Sequence, residues 1–384
     1  MDEAARRTWL ALAINCIVGT TGACDPEPRT EPPSAPTTAT RDEARRTTAT
    51  SSTEGPRLAD DVVALAKEIV QKCATAVRGG NPARCPGYLR WTQGEMFADG
   101  KNDLTLVHLA EDPDGEVRRL AAETLEAHGV RYRTDPALAR RLVAALKKEK
   151  EAPVAAPLAS AVADIALEPL ALTDEVLALV DGHPLAEVGH RLVRDVLFRN
   201  RTSEAVYAFV LRAAEEHRDP EVRRHALRGF WTGTPRGRDA EVCALWRRIG
   251  TTDEDAEVAA KAIELAFQKV SGRCEAEYGV LLTRVASLAR KGEVRSVSIA
   301  FGLQYLHRQP DLDAGPARRA LQAAKALVAN PDNDGLARSW ALRFLGETEP
   351  DAATLAARHL SDDDARVKRT AREIRDGKIK PAKN

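Results

Sequence analysis

A segment reading Asp219-Pro220-Glu221-Val222-Arg223-Arg224-His225-Ala226-Leu227-Arg228-Gly229-Phe230 returns in altered form from about residue 112 to residue 376. This recurrence restricts the fold more than any other property of the chain. Aligned on Val222, the copies share an aliphatic position at Val117, Val154, Val188, Val222, Val258, Val294, Leu336 and Val367, at spacings of 37, 34, 34, 36, 36, 42 and 31. The mean, about 36, falls within the periods of helical solenoids. Four residues past each anchor stand Ala121, Leu158, Leu192, Ala226, Ala262, Ser298, Trp340 and Ala371. Eight past stand Leu125, Val162, Val196, Phe230, Ala266, Gly302, Phe344 and Arg375. One apolar stripe at helical period is thus written eight times, most weakly in the last copy. It predicts an all-α chain, an α-solenoid of about eight helix pairs.

The anchored segments are the second helices of these pairs. The first helices are expected at residues 103–111, 135–150, 174–181, 203–217, 240–249, 276–291, 317–329 and 352–360. Asp112-Pro113 and Asp219-Pro220 place a capping acceptor before a proline suited to the first helical turn. Ser361 with Asp364 resembles a capping box. A glutamate precedes the anchor at Glu116, Glu187, Glu221, Glu257 and Glu293, where it complements a positive helix N-terminus. Ala, Leu and Val dominate the hydrophobic 43%, and aromatics are only 4%, a composition that suits closely approaching helices better than a sheet. Ahead of the repeats, residues 58–100 predict a helical cap. Leu58 to Arg78 reads as a helix with Val62, Val63, Leu65, Ala66, Ile69 and Val70 on one side, followed by an irregular loop through Cys85 and Trp91.

Residues 1–24 read as an export signal. Arg6-Arg7 precede an apolar run from Thr8 to Val18, too short to span a bilayer of roughly 20 residues' depth but of the length of a signal core. The small residues ending in Cys24 resemble the lipobox of bacterial lipoproteins, with Thr21 where that pattern carries Leu. The resemblance implies that Cys24 is lipidated and becomes the first mature residue, in a membrane-anchored protein of the cell envelope. A plain cleaved signal, or a cytosolic chain with an apolar start, are the other readings. Residues 25–57, rich in Pro and Thr, lack the apolar surface to offset the entropy of ordering and read as a disordered tether. Residues 378–384 read as a basic, frayed tail.

Glu116-Val117-Arg118-Arg119-Leu120-Ala121-Ala122 and Glu221-Val222-Arg223-Arg224-His225-Ala226-Leu227 resemble HEAT repeats of the bilin-lyase-like kind, and the resemblance extends over residues 101–377. It implies a ladder in which an Asp of each turn and an Arg after the Val join neighbouring repeats. Asp112 with Arg118, and Asp362 with Lys368, fit that pattern. Asp253 faces Ala259, and Val188 is followed by Gly189.

Outside the signal there are four cysteines. In an exported chain they allow three pairings, of which sequence proximity favours Cys73–Cys85 and Cys243–Cys274. Zinc is the rival reading, without any Cys-x-x-Cys, and four buried thiols the reading for a cytosolic chain. The eight histidines are scattered, with His183/His190 and His217/His225 two helical turns apart. No His-Glu-x-x-His, Gly-x-Ser-x-Gly or P-loop is present, so no catalytic residue, metal or cofactor is expected.

Lys+Arg and Asp+Glu both number 57, so net charge gives no argument for nucleic acid as a partner. Locally, basic residues follow the anchors. Arg118, Arg119, Arg223, Arg224, Arg228, Arg295 and Arg338, with Phe230, Trp231 and Trp246 as aromatic anchors, are the candidate surface for a protein or peptide. The competing reading has these arginines pairing between repeats and the aromatics filling the core. Three functions follow: a non-catalytic scaffold tethered through Cys24, a self-assembling structural protein, or a HEAT-like enzyme resembling bilin lyases or alkylation-repair DNA glycosylases. The scaffold is the expectation.

Overall fold

The computed structural model describes residues 58–78, 85–92, 95–268, 274–309 and 312–381. The signal, Cys24, the tether and residues 382–384 lie outside the described residues. Helix formation follows the stripe and its caps. α1 (Asp60–Arg78) and α2 (Pro86–Thr92) make up the cap with a 3₁₀ turn at Glu95–Gly100. The pairs are α3 (Asp103–Leu109) with α4 (Gly115–His128), and α5 (Pro136–Lys148) with α6 (Ala152–Ala163). In the third pair the first helix is split into α7 (Thr173–Leu177) and α8 (Leu179–Gly182), followed by α9 (Ala186–Arg199). Then come α10 (Glu204–Glu216) with α11 (Pro220–Gly233), and α12 (Asp239–Thr252) with α13 (Ala256–Gln268). The last three pairs are α14 (Glu275–Lys291) with α15 (Ser298–His307), α16 (Ala314–Ala329) with α17 (Gly335–Thr348), and α18 (Ala352–Ala357) with α19 (Ala365–Arg375). No strand occurs among the described residues.

The second helices α4, α6, α9, α11, α13, α15, α17 and α19 each touch the next, forming one wall, and the first helices form the other. Except where α14 meets α16, the second helices contact one another more extensively than the first helices do. Side chains of both layers meet in one continuous apolar seam. Val117, Val154, Val188, Val222, Val258, Val294 and Val367 are all buried there, as are Ala121, Leu158, Leu192, Ala226 and Ala262. Burying a valine contributes roughly 1.5–3 kcal/mol, so the seam is what fixes the stack.

The sixth and seventh copies depart from the predicted register. α14 ends at Gly292, whose φ of 74° is the left-handed cap that glycine adopts without strain. The chain then leaves the helix, and Val294 is buried ahead of α15 rather than within it. Its N–H donates to Asn333 Oδ1 (3.0 Å), and its carbonyl accepts from Asp334 N (2.9 Å). In α17 the stripe is displaced by one residue: Leu336 is 36% exposed, while Ala337, Ala341 and Leu345 are buried. The first helix expected at 174–181 is interrupted at Ala178, which keeps right-handed helical angles (φ −62°, ψ −22°).

The cap packs on the first pair. Val62, Leu65, Ala66 and Ile69 of α1 join the core, and Trp91 Nε1 donates to Thr124 Oγ1 (2.6 Å) on α4. A disulfide joins Cys73 to Cys85 (Cα–Cα 5.7 Å), and a second joins Cys243 to Cys274 (Cα–Cα 5.3 Å), at the starts of the successive first helices α12 and α14. The tail expected from residue 378 is held at its beginning. Lys378 and Ile379 donate their N–H groups to Glu373 O (2.9 and 3.2 Å), and the Ile379 side chain is buried.

Candidate functional site

The turns between the two helices of a pair share a device. A side chain accepts the N–H two residues on, at 2.9–3.1 Å, in Asp112, Glu149, His183, His217, Asp253, Asn330 and Asp362. This acceptor closes the turn and delivers the chain to the cap of the second helix, as when Asp114, Asp219 and Asp364 accept from the first helical N–H groups. His183 and His217 accept at Nδ1, which leaves Nε2 to meet the preceding repeat: Leu146 O (2.9 Å) for His183 and Asp181 (2.6 Å) for His217.

Most of the candidate arginines belong to these turns. Arg118 Nε and Nη2 donate to Glu149 (2.7 and 3.3 Å), Nη2 to Glu151 (2.8 Å), and Nη1 to Asp112 O and Pro113 O of its own turn (2.9 and 3.1 Å). Arg223 repeats this, gripping Asp253 (3.0 and 2.9 Å) and His217 O (2.8 Å). Arg338, almost fully buried, donates both terminal nitrogens to Asp362 and Nε to Val328 O (3.2 Å). Arg295 donates to Asp332 O (2.7 Å). Each clamp therefore ties its own repeat to the next turn. Asp253 thus joins the ladder through the arginine of the preceding repeat, although Ala259 stands in its own, and Glu149 fills the place where an aspartate was expected.

The hydrogen bond that Arg118 donates to Glu149 raises its guanidinium above its ordinary value despite partial burial. Burial pushes the Glu149 and Asp362 carboxyls up, but hydrogen bonds from Arg118 and Arg338 and from backbone N–H groups outweigh it and hold both below the usual range.

On the solvent side of the second-helix wall the remaining candidates separate. Arg119 pairs with Glu116 and Glu123 (3.0 and 2.7 Å), and Arg224 with Glu221, all within their own helices. Phe230 and Trp246 are fully buried, so neither belongs to a docking surface. Phe230 packs edge-on to Tyr207 (centroids 5.7 Å apart), as unequal repeats need large side chains to fill the seam. Two candidates remain open. Trp231 is 48% exposed, and Arg228, one turn before it on α11, is exposed with no carboxylate among the described residues at ion-pair distance.

Around them lie residues that the repeat pattern did not single out. On α9, Arg194 makes a two-pronged pair with Asp195 (2.6 Å each), Arg191 lies 3.6 Å from Glu126 of α4, and Phe198 is 47% exposed under the Arg201 guanidinium (4.7 Å). His190 and His225 stack across the α9–α11 junction with centroids 5.2 Å apart, and His190 Nε2 lies 3.6 Å from Asp219. Burial, together with the neighbouring His190 ring and the Arg224, Arg194 and Arg228 guanidiniums, lowers His225 to about 3, so it is neutral at ordinary pH. Burial, Arg194 and Arg224 also lower Arg228, with Glu264 and Asp195 acting against them. Its guanidinium is reached by solvent, yet the surrounding wall removes part of its hydration. Gly229 lets the helices come this close: a Cβ there would lie 3.0 Å from Val193 O and 3.1 Å from Arg194 O.

Hollows along the turns are lined by the clamp residues themselves, Arg223 with Asp253 in one and Arg118 with Glu149 in another. Among the described residues no group of three or more His, Cys, Asp or Glu is placed to hold a metal, and no helix is long and apolar enough to cross a membrane.

No family model matches the chain, and no curated protein matches it. Among solved structures it is similar to crystal structures of engineered proteins from the Northeast Structural Genomics Consortium. One is 16% identical, covers 84% of this chain and 100% of its own, and has a TM-score of 0.32. A second is 14% identical over 71% and 96% of the two chains, with a TM-score of 0.23. A third is 17% identical over 72% and 97%, with a TM-score of 0.20. The described residues form an all-helical repeat array with a helical cap.

Proposed function

We propose that the protein is a non-catalytic scaffold of HEAT-like repeats that binds a protein or peptide along its second-helix wall, held at a membrane of the cell envelope by a lipid on Cys24. The observation that carries the binding role is the open pair Arg228 and Trp231 on α11, in a part of the wall where Arg194, Arg191 and Arg224 already have carboxylate partners. A cation and a large aromatic side by side on a rigid helix supply the two residue types that dominate binding energy at protein interfaces. The wall presents extended surface, as solenoids do, and the two disulfides suit an oxidising compartment.

The test is crosslinking and affinity capture from the native membrane fraction, with the whole protein as bait. A partner captured by the wild type should be lost with Arg228→Gln/Trp231→Ala and retained with Arg140→Gln, an exposed arginine on the first helix α5. Equal capture by all three baits would rule out this wall as the binding surface.

A further inference from the structure

We infer that the face formed by Arg228 and Trp231 on α11 takes an acidic peptide segment, with a carboxylate side chain on Arg228 and an adjacent apolar side chain against Trp231. This rests on the scaffold reading and specifies its partner. The geometry supplies three reasons. Residues three apart share a helix face, so Trp231 stands one turn past Arg228 on α11. The close approach at Gly229 brings the Val193–Arg194 backbone of α9 against this part of α11. Trp231 is a large apolar group about half open to solvent on a chain that buries most of its aromatics.

Charge selects the occupant. Arg194 and Arg224 are matched by Asp195 and Glu221, and Glu264 by Lys261, whereas the exposed Arg228 has no ion-pair partner of its own among the described residues. An open, planar guanidinium receives a carboxylate through two parallel N–H donors. Partial removal of water from Arg228 strengthens that pair relative to one on an open surface. A nucleic-acid backbone is disfavoured, because it needs a run of unpaired cations. On either side of Arg228 the wall instead alternates in sign, with Glu126 near Arg191, and Lys261 paired to the largely buried Glu264.

The experiment is selection of a random-peptide phage library on the folded, disulfide-intact protein, followed by binding measurements on the enriched peptide and on its counterpart with every Asp and Glu changed to Asn and Gln. The inference expects enrichment of Asp or Glu beside Leu, Phe or Trp. It also expects a loss of affinity of about tenfold or more, both with the amide counterpart and with Arg228→Gln, as for a charge-assisted pair. Arg228→Gln should unfold at the wild-type temperature. Enriched peptides without acidic residues, but still sensitive to Trp231→Ala, would overturn the acidic partner and leave the scaffold reading standing. Peptides insensitive to both substitutions would overturn the inference and place binding elsewhere on the molecule. Tight binding of oligothymidylate that Arg228→Gln abolishes would overturn it in favour of a phosphate ligand.

Discussion

Arg338 and Asp362 show how much one pair can contribute to a seam. Their side chains are only 4% and 9% exposed, and both guanidinium ends are engaged. Arg338→Ala leaves the largely buried Asp362 carboxylate with only the His359 ring and the Asp364 N–H, so it should destabilise the fold by about 3 kcal/mol in urea titrations. Arg366→Ala, which breaks the exposed pair with Asp364, should cost less than about 1 kcal/mol. Acid should act on the same clamps. The Asp362 and Glu149 carboxyls are held below their usual range, so their contribution is complete above that range and disappears as pH falls through their folded values. His225 acts in a higher window. Its value falls from 6.5 to about 3, so the unfolded chain binds a proton that the folded chain refuses, and stability declines as pH falls from 6.5 toward 3. His225→Asn should flatten that part of the profile and leave the steeper loss at lower pH; an unchanged slope would show that the ring is not excluded from protonation. The turn acceptors were invisible in the sequence for a simple reason. Aspartate, glutamate, histidine and asparagine all accept the same N–H, so the role recurs without the residue recurring.

At the scale of the helix, an aliphatic every fourth residue was enough to place the second helices, because a solenoid repeats one burial pattern. The prediction weakened where loop length changed. The 42-residue interval between Val294 and Leu336 holds the non-helical lead into α15, α15 itself and the 16-residue α16, and α17 resumes one residue out of phase. Two substitutions separate the registers. Val222→Asp should destabilise by several kcal/mol, since it places a charge in the seam. Leu336→Asp should change stability by no more than about 0.5 kcal/mol in the same thermal or urea measurement, because that side chain already meets water. The candidate surface was legible only in part. Charge and aromatic content gave ten candidate residues, but sequence alone does not say which arginines have carboxylates waiting in the next repeat. Only Arg228 and Trp231 emerged both open and adjacent.

For the molecule as a whole, each repeat contacts its neighbours, so stability is expected to add along the array rather than to reside in one centre. Tethering belongs to this scale too, because the folded array and its proposed anchor are separable. Cys24→Ala should move the protein from the membrane pellet to the soluble fraction without changing its unfolding temperature, and retention in the pellet would remove the lipid anchor from the proposal.

The arginine clamps give the array a grain. Arg118, Arg223 and Arg338 hold carbonyls at the end of their own first helix or in the turn that follows it, so each such repeat can close on residues of its own. Each then waits for a carboxylate that emerges 24 to 31 residues later. At these three junctions assembly is thereby biased to run from the N-terminal side, the later turn locking the earlier one. In the eighth repeat Lys368 stands where Arg118 and Arg223 stand in theirs.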